Sequence, residues 1–549
     1  MKKKYDAIVI GGGHNGLVNA AYLAKEGLDV AVFEKNSNLG GCSSTDETSW
    51  PGYKISTASY VLSLFTPGII NDLELKRHGL EIIPRRPSSY TPDLEGPGLV
   101  MGTLPSGENI SYQEISRYSE HDAENFARYE GDLERVAKKI EPFIEMVPPN
   151  LSFRDFKENM ARFGQTFKNL FSFGQDFEFA CELMTGAATS ILNQYFESDI
   201  LKATLATDAI IGAMAAPSTK GSAYVLLHHV MGEAGGARGV WGYVRGGMGG
   251  LADSLKSCCK ERGVDIFNEG YVRTVKTNEH GRVKGISFYN SSCPDLVELE
   301  SSAVISSLSC ESTFNYLVGR KNLPSRFLKS IDKIDYSSAS AKINLALDQL
   351  PEFISGVDIE RDFQILTGTT HIPNTMQDIE NAFQDALQDK PSRKPILEMT
   401  IPSLLDSTVA PEGKHLMNIF VQYFPYNIDE IVGGKQTQKD VKEDFMDRCI
   451  DLINQHTKGD FASSVTNKQM LTPVDLEDKF SLTEGNLFQG AMKFPFQMSS
   501  FRPVAGYSDY RTPIKGLYMC GAATHPGGGV IGINGRNAAR EVLRDLKKN

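Results

Sequence analysis

The chain has 549 residues, 41% hydrophobic and 23% charged, ordinary globular values for a protein too long to fold around one simple core. Its 68 acidic and 57 basic side chains give a formal net charge of -11, which excludes the basic surface that a nucleic-acid partner requires. No apolar run approaches the roughly 20 residues of a membrane span, and the run after Lys2-Lys3-Lys4 is too short for a signal peptide, so a cytoplasmic protein is expected.

Tyr5 to Ile10 reads as a buried strand, Gly11-Gly12-Gly13-His14-Asn15-Gly16 as a glycine turn, and Leu17 to Ala24 as a helix stopped by Gly27. A second strand, Asp29 to Phe33, ends at Glu34. Strand, glycine turn, helix, strand and acid form the dinucleotide-binding fingerprint in the context it requires. Gly11 permits the tight turn, Gly13 lets a pyrophosphate approach the backbone, and Gly16 lets helix and strand pack closely. Free N–H groups at the helix start face the phosphates, and Glu34 can accept from the adenosine ribose hydroxyls. Lys35 to Ser43 then carries a second pair, Gly40-Gly41, followed by Cys42. NAD needs no such pair, whereas a larger cofactor lying across the domain needs another close backbone approach. A plain loop turn is the alternative.

These motifs resemble the FAD-dependent oxidoreductases of the phytoene desaturase and carotenoid isomerase or ketolase superfamily, in which GxGHNGL followed by an acid and a glycine pair is typical. Within it they resemble the pyridine nucleotide-disulphide oxidoreductase domain-containing protein 2 branch. The resemblance implies an α/β fold, a Rossmann-like FAD-binding domain of the amine oxidase and phytoene desaturase type with an inserted α+β substrate domain. It implies FAD as cofactor, with Gly11, Gly13, His14, Asn15, Gly16, Glu34, Lys35, Gly40, Gly41, Cys42 and Ser43 at cofactor-binding positions. The family often has Arg after the glycine pair; Cys42 stands there here, which leaves that phosphate contact open. The eight cysteines contain no CxxC or CxxxxC pair, and Cys258-Cys259 falls in a helical pattern, so disulphide chemistry and a zinc site are both disfavoured.

From about residue 81 short strands and turns leave the nucleotide domain. Ser119 to Met146 reads as a long helix capped by Ser119 and Asp122. A second helix from Ser152 carries Phe156, Met160, Phe163, Phe167 and Leu170 in one stripe, flanked by Arg154, Lys157, Arg162 and Lys168. The favoured reading docks this stripe on the core; the other lays it on a membrane surface as a peripheral contact. Residues 176 to 235 are helical and apolar. Trp241 to Gly250 re-enters the nucleotide domain, followed by a helix to about Arg262, a strand pair over Val264 to Val275, a hairpin turning at His280-Gly281, and a buried strand at Ala303 to Ile305. The resemblance places Val272 at the adenine and Gly247-Met248 near the flavin. Asn374 to Lys394 reads as a solvated helix and linker, Ile401 to His415 as loop, and Met417 to Phe424 as a strand.

Lys515 to Ala522 reads as a strand and turn, leading through Thr524-His525-Pro526 to a helix over Asn534 to Lys547. Gly527, Gly529 and Gly532 spell a second GxGxxG, but too little chain follows for another strand–helix–strand unit, so no NAD(P)H site is expected. The segment resembles the family's closing FAD motif, which puts Gly521, Ala522, Val530 and Gly532 at the cofactor and aims the last helix's N-terminus at the flavin. The expected FAD-binding domain comprises residues 1–80, 236–310 and 505–549, and the substrate domain residues 81–235 and 311–504.

Catalytic candidates are few. His525 could contact substrate or flavin, or simply stabilise its turn; His228-His229 lack a third ligand, so no metal is expected. Phe494, Phe496, Met498 and Phe501, with Arg502-Pro503, line an apolar pocket or belong to the core. The expected function is hydride transfer to flavin N5 from a small apolar substrate, polyene or lipid-like, by a dehydrogenase, desaturase or isomerase-like enzyme. The alternatives are an amine oxidase-like enzyme with a polar substrate and a flavin-stabilised binding protein with little turnover. Oligomeric state is left open.

Overall fold

Strand β1 (Lys4–Ile10) is apolar on both faces, with Ala7 and Val9 on one side and Ile8 and Ile10 on the other, all buried. Such a strand belongs inside a parallel sheet covered on both sides. The computed structural model describes residues 2–152, 156–234, 236–290, 293–355, 363–428, 438–494 and 497–547; Arg154, Gly235 and Phe496 lie outside the described residues. In it β1 pairs in parallel with β2 (Val30–Phe33) on one side and with the end of strand Cys293–Ser306 on the other. Asp265–Phe267 extends the sheet beside β2, the hairpin Gly270–Thr277 and Val283–Asn290 extends the far side, and Leu517–Met519 joins next to residues 304–306. Helix α1 (His14–Lys25) covers one face together with helices Gly249–Glu261 and Ile533–Lys547. Asn19 donates from Nδ2 to the Gly535 carbonyl at 3.0 Å, fastening α1 to the last helix.

The second sheet runs Val465–Leu471, Ser340–Leu347, His415–Gln422, Ile396–Thr400, Thr369–Ile372, Ser89–Thr91, Leu99–Met101. Alternation along these strands gives the sheet two unlike faces. Ile343, Leu345, Leu397, Met399, Ile419 and Val421 pack with Phe445, Cys449 and Ile453 of helix Gln438–Gln455. The intervening Lys342, Glu398, Phe420 and His371 face a cavity between the two sheets. Helices Glu120–Glu145, Asp199–Thr207 and Ser222–Val230 close one side of it, with Phe177–Thr185 and Ala188–Tyr195 packed in the same helical core.

The long helix starts where the sequence places it, with Ser119 Oγ accepting from Asp122 N–H at 3.1 Å. Helix Phe156–Phe171 reverses its expected packing. Asn159 is buried and donates to the Asn150 carbonyl at 2.6 Å, and Arg162 donates to Glu541 at 2.8 Å, so the polar side is held inward. Phe156 is left 65% and Phe167 57% exposed, with Met160 and Leu170 also outside. Helix Met376–Ala386 is likewise amphipathic rather than solvated, burying Ile379, Ala382 and Phe383. Phe494 is exposed, while Met498 packs in a small core with Tyr224, Phe488 and Met492.

Arg502 ties the end of the second sheet's segment to the C-terminal return. It is 1% exposed and donates to the carbonyls of Gly490 at 3.1 Å, Gln497 at 2.9 Å, Thr524 at 3.2 Å and Ala522 at 2.7 Å, and to that of Phe488. Burial pulls its guanidinium down to about 10, which leaves it charged at neutral pH. Arg502→Met strands these carbonyls, each costing about 1–3 kcal/mol when buried without a donor. Equilibrium urea unfolding is expected to record a loss of at least about 3 kcal/mol; a loss below roughly 1 kcal/mol would mean the carbonyls find other donors.

Candidate functional site

One cavity of about 1310 Å³ runs from the glycine turn to the polar face of the second sheet. At its first end α1 begins with Gly13 as N-cap, and no side chain caps the helix. The orphan N–H groups of the first turn therefore lie beside Gly11, Gly13, His14 and Asn15, all lining the cavity. Two glycines have different reasons. A Cβ on Gly16 would stand 2.1 Å from the Gly11 carbonyl oxygen, so the turn closes on the helix only without one. A Cβ on Gly13 would meet nothing nearer than the Gly40 oxygen at 3.9 Å, since that side is open.

The second glycine pair folds onto the first, with Gly40 N–H donating to the Gly12 carbonyl at 2.8 Å. Glu34 is buried and accepts from the N–H groups of Gly12 at 2.8 Å and Asn36 at 2.9 Å; burial pushes its carboxyl up despite these donors. Lys35 reaches the Asp478 carbonyl at 2.7 Å at the cavity's edge. Cys42 lines the cavity as a free thiol that burial pushes up to about 12, far from the thiolate that disulphide exchange requires. Gly41, Val272, Gly521, Ala522 and Val530 line the same space. Asn534, in the last helix's first turn, donates to the carbonyls of Gly521 at 3.2 Å, Thr524 at 3.0 Å and Gly527 at 3.1 Å, which fixes this loop.

Other candidates stand behind the lining. Ser43 is fully buried beside the glycine pair, with Oγ unpartnered among the described residues. Gly247 and Met248 do not reach the cavity: Met248 N–H donates to Ser56 Oγ at 3.1 Å and Gly249 N–H to Thr45 Oγ1 at 2.8 Å, so their loop braces the strands that follow Cys42. Gly532 packs against Phe65 and Ile69. His525 is turned away, its Nε2 bonded to the carbonyls of Phe143 at 2.9 Å and Ile144 at 3.1 Å, and burial pulls it down to about 4. It anchors the end of the long helix and lines no part of the cavity. His228 and His229 are buried and bond the backbone at Gly528 and Val225, with no metal-ligand set around them among the described residues.

The other end of the cavity holds groups that sequence reasoning missed. Glu398 projects from the centre of the second sheet, accepting from Tyr60 OH at 3.3 Å; its burial, reinforced by Asp208, pushes the carboxyl up to about 8. Asp208 is pushed up by its own burial. Burial pulls the Lys342 ammonium well down; it donates to Asn344 Oδ1 and to Asn418 Oδ1 at 3.2 Å and lies 5.3 Å from the Tyr60 ring centre. His371, bonded to Thr207 Oγ1 at 2.9 Å, is pulled down to about 3 by burial. Arg85 completes the cluster from the ribbon that pairs Ile82–Pro84 with Gly242–Val244. The available signal was a charged or amide residue at every second place of an apolar strand: Lys342 and Asn344, Glu398, Asn418 and Gln422.

A carboxyl raised from 4.5 to about 8 keeps in the folded protein a proton that the unfolded chain releases. Stability from this group therefore falls as pH rises between those values, by at most about 1.4 kcal/mol per pH unit. Glu398→Gln carries no such proton. Between pH 5 and 8 the parent is expected to lose on the order of 3 kcal/mol more than the variant in urea unfolding, and parallel curves would refute the buried neutral carboxyl.

Comparison with known proteins agrees with this architecture. Residues 9–71 match the NAD(P)-binding Rossmann-like domain. The cyclohexylamine oxidase from Brevibacterium oxydans IH-35A has a similar fold, with TM-score 0.56 at 14% identity over 99% of this chain and 100% of that one, a likeness of fold alone. The chain is 24% identical to the chloroplastic prolycopene isomerase of Arabidopsis thaliana over 99% of its length and 83% of that protein. It is 42% identical to pyridine nucleotide-disulfide oxidoreductase domain-containing protein 2 of Mus musculus, over 100% of this chain and 94% of the mouse protein. On that identity, carried through the whole chain, the protein belongs to the pyridine nucleotide-disulfide oxidoreductase domain-containing protein 2 family of oxidoreductases.

Proposed function

We propose that the dinucleotide is FAD and that the protein is an FAD-dependent dehydrogenase, desaturase or isomerase-like enzyme acting on a largely apolar, polyene or lipid-like substrate. The observation that carries this reading is the continuity of the cavity: the dinucleotide groove opens directly into a chamber large enough for a second molecule. A cofactor that spans this junction suits FAD, and the printed name of the prolycopene isomerase relative suits a polyene. The residues present fit the group. The uncapped start of α1 offers N–H donors to a pyrophosphate, Glu34 offers an acceptor to a ribose, and Asn15, in the lining, has a buried Oδ1 without a partner among the described residues.

When bound, FAD supplies a two-electron acceptor that takes a hydride at N5. The protein's part is to orient and to exclude water. Trp241, Leu226, Val230 and Phe488 give the chamber apolar walls, and Glu398, held as a neutral acid beside Tyr60, keeps a proton at hand within it. Glu398 and Asp208 also favour a second reading, an amine oxidase-like enzyme whose substrate nitrogen sits against the acids.

Gly13→Val separates cofactor binding from folding. Gly13 has φ -69° and ψ 168°, a backbone that valine adopts readily, and the new side chain enters open space. Protein purified without denaturation is expected to release FAD on unfolding, identified by mass. The variant is expected to keep its circular dichroism and bind FAD at least about tenfold more weakly. Release of NAD, or of no nucleotide, from the parent would overturn the assignment, as would full FAD occupancy of Gly13→Val.

A further inference from the structure

Arg85 is a buried charge in the chamber without an ion pair among the described residues. It is only 7% exposed, and its guanidinium lines the cavity between the ribbon Ile82–Pro84 and the second sheet. Its Nη1 donates to Thr369 Oγ1 and its guanidinium carbon lies 5.9 Å from the Tyr243 ring centre, but Nε has no partner, and no ion pair forms to any carboxylate among the described residues. A buried guanidinium is costly without an anion, and its planar fork matches a carboxylate.

The neighbouring groups do not supply that anion. Glu398 and Asp208 stand in the same chamber and feel the charge of Arg85, but neither forms an ion pair with it, and burial outweighs that attraction and pushes both carboxyls up. Of the other cations, Lys342 is engaged by the amide oxygens of Asn344 and Asn418, and Arg86 lies on the exposed side of the lining. His371 faces Thr207. Around this polar end the walls are apolar, with Leu205, Ile211, Leu226, Val230 and Trp241.

We propose that Arg85 is the carboxylate-binding residue of the chamber, and that the substrate is an apolar chain ending in a carboxylate. This rests on the chamber being the substrate site of the oxidoreductase proposed above. Neutral Glu398 can add a hydrogen-bond donor to the same carboxylate, and the aliphatic walls take the chain. The arrangement fixes which end of a featureless chain enters first, and so which carbon meets the cofactor end of the cavity. A substrate with a terminal amine would instead bring a second cation to Arg85.

The test uses the full-length protein as purified, with dodecanoate, 1-dodecanol and dodecylamine as probes below their aggregation limits. Binding is read by calorimetry, which needs no flavin, and by the change in flavin absorption where flavin is present. Dodecanoate is expected to bind at least about tenfold more tightly than either of the others. Arg85→Gln is expected to abolish that preference while leaving the affinity for dodecanol within about threefold. Arg85→Lys keeps the charge without the fork, and is expected to retain part of the preference and to guard against misreading a misfolded variant. Equal affinities, a preference for dodecylamine, or a dodecanoate preference that survives Arg85→Gln would each overturn the proposal. The two readings fail separately. A protein without flavin that still prefers dodecanoate refutes FAD and supports the carboxylate site, and a flavoprotein without the preference does the reverse.

Discussion

A helix that starts inside a protein without a cap has N–H groups that something must satisfy. Helix α1 starts in this way: Gly13 offers no side chain, and the first turn borders a cavity rather than another element. Much of the surrounding structure keeps that edge in place and keeps it open. Gly40 N–H bonds back to the Gly12 carbonyl, and Glu34 holds Gly12 from the other side. Asn534 fixes the C-terminal loop facing the turn, and Arg502 fixes the same loop from behind. An oriented row of backbone donors with no protein acceptor is suited to an anionic group such as a pyrophosphate.

The second sheet meets a different constraint. Its one face must be apolar to hold helix Gln438–Gln455, and the two-residue period then leaves the other face free to be polar. Charged groups on that face are removed from water, which drives Glu398 toward its neutral acid and Lys342 toward its neutral amine, and Asp208, at the end of helix Asp199–Thr207, is pushed the same way by its own burial. The chamber thus collects groups of shifted acidity beside the buried Arg85 side chain, as working sites commonly do.

Legibility in the sequence followed distance along the chain. The fingerprint could be read because strand, turn, helix and acid are consecutive, and each fixes the geometry of the next. The return of residues 521–530 to the same cavity was legible through its resemblance to a known motif. Neighbours far apart were not. The stripe on helix Phe156–Phe171 was visible, but not which side would be buried, because that depends on Glu541, 379 residues beyond Arg162. Glu541 is fully buried and accepts from Arg162, Arg511 and Arg544, so the polar side of the helix has a partner strong enough to turn the aromatic side outward. The choice between the two readings of His525 was hidden for the same reason: its place beside the glycines says nothing of carbonyls 382 and 381 residues earlier.

The polar face over an apolar chamber also bears on how much specificity a small polar cluster can supply. Apolar walls attract any chain of suitable length, and one methylene more or less changes binding by only about 1–3 kcal/mol. A buried polar group discriminates far better, because a ligand that leaves it unpaired forfeits the desolvation already incurred. Arg85, Glu398 and Lys342 are each more than nine-tenths buried and face one cavity, so the discrimination they exert is concentrated at one end of it. On the reading proposed above, the walls set how tightly a ligand is held, while Arg85 and the sheet's polar face set which ligand, and which way round.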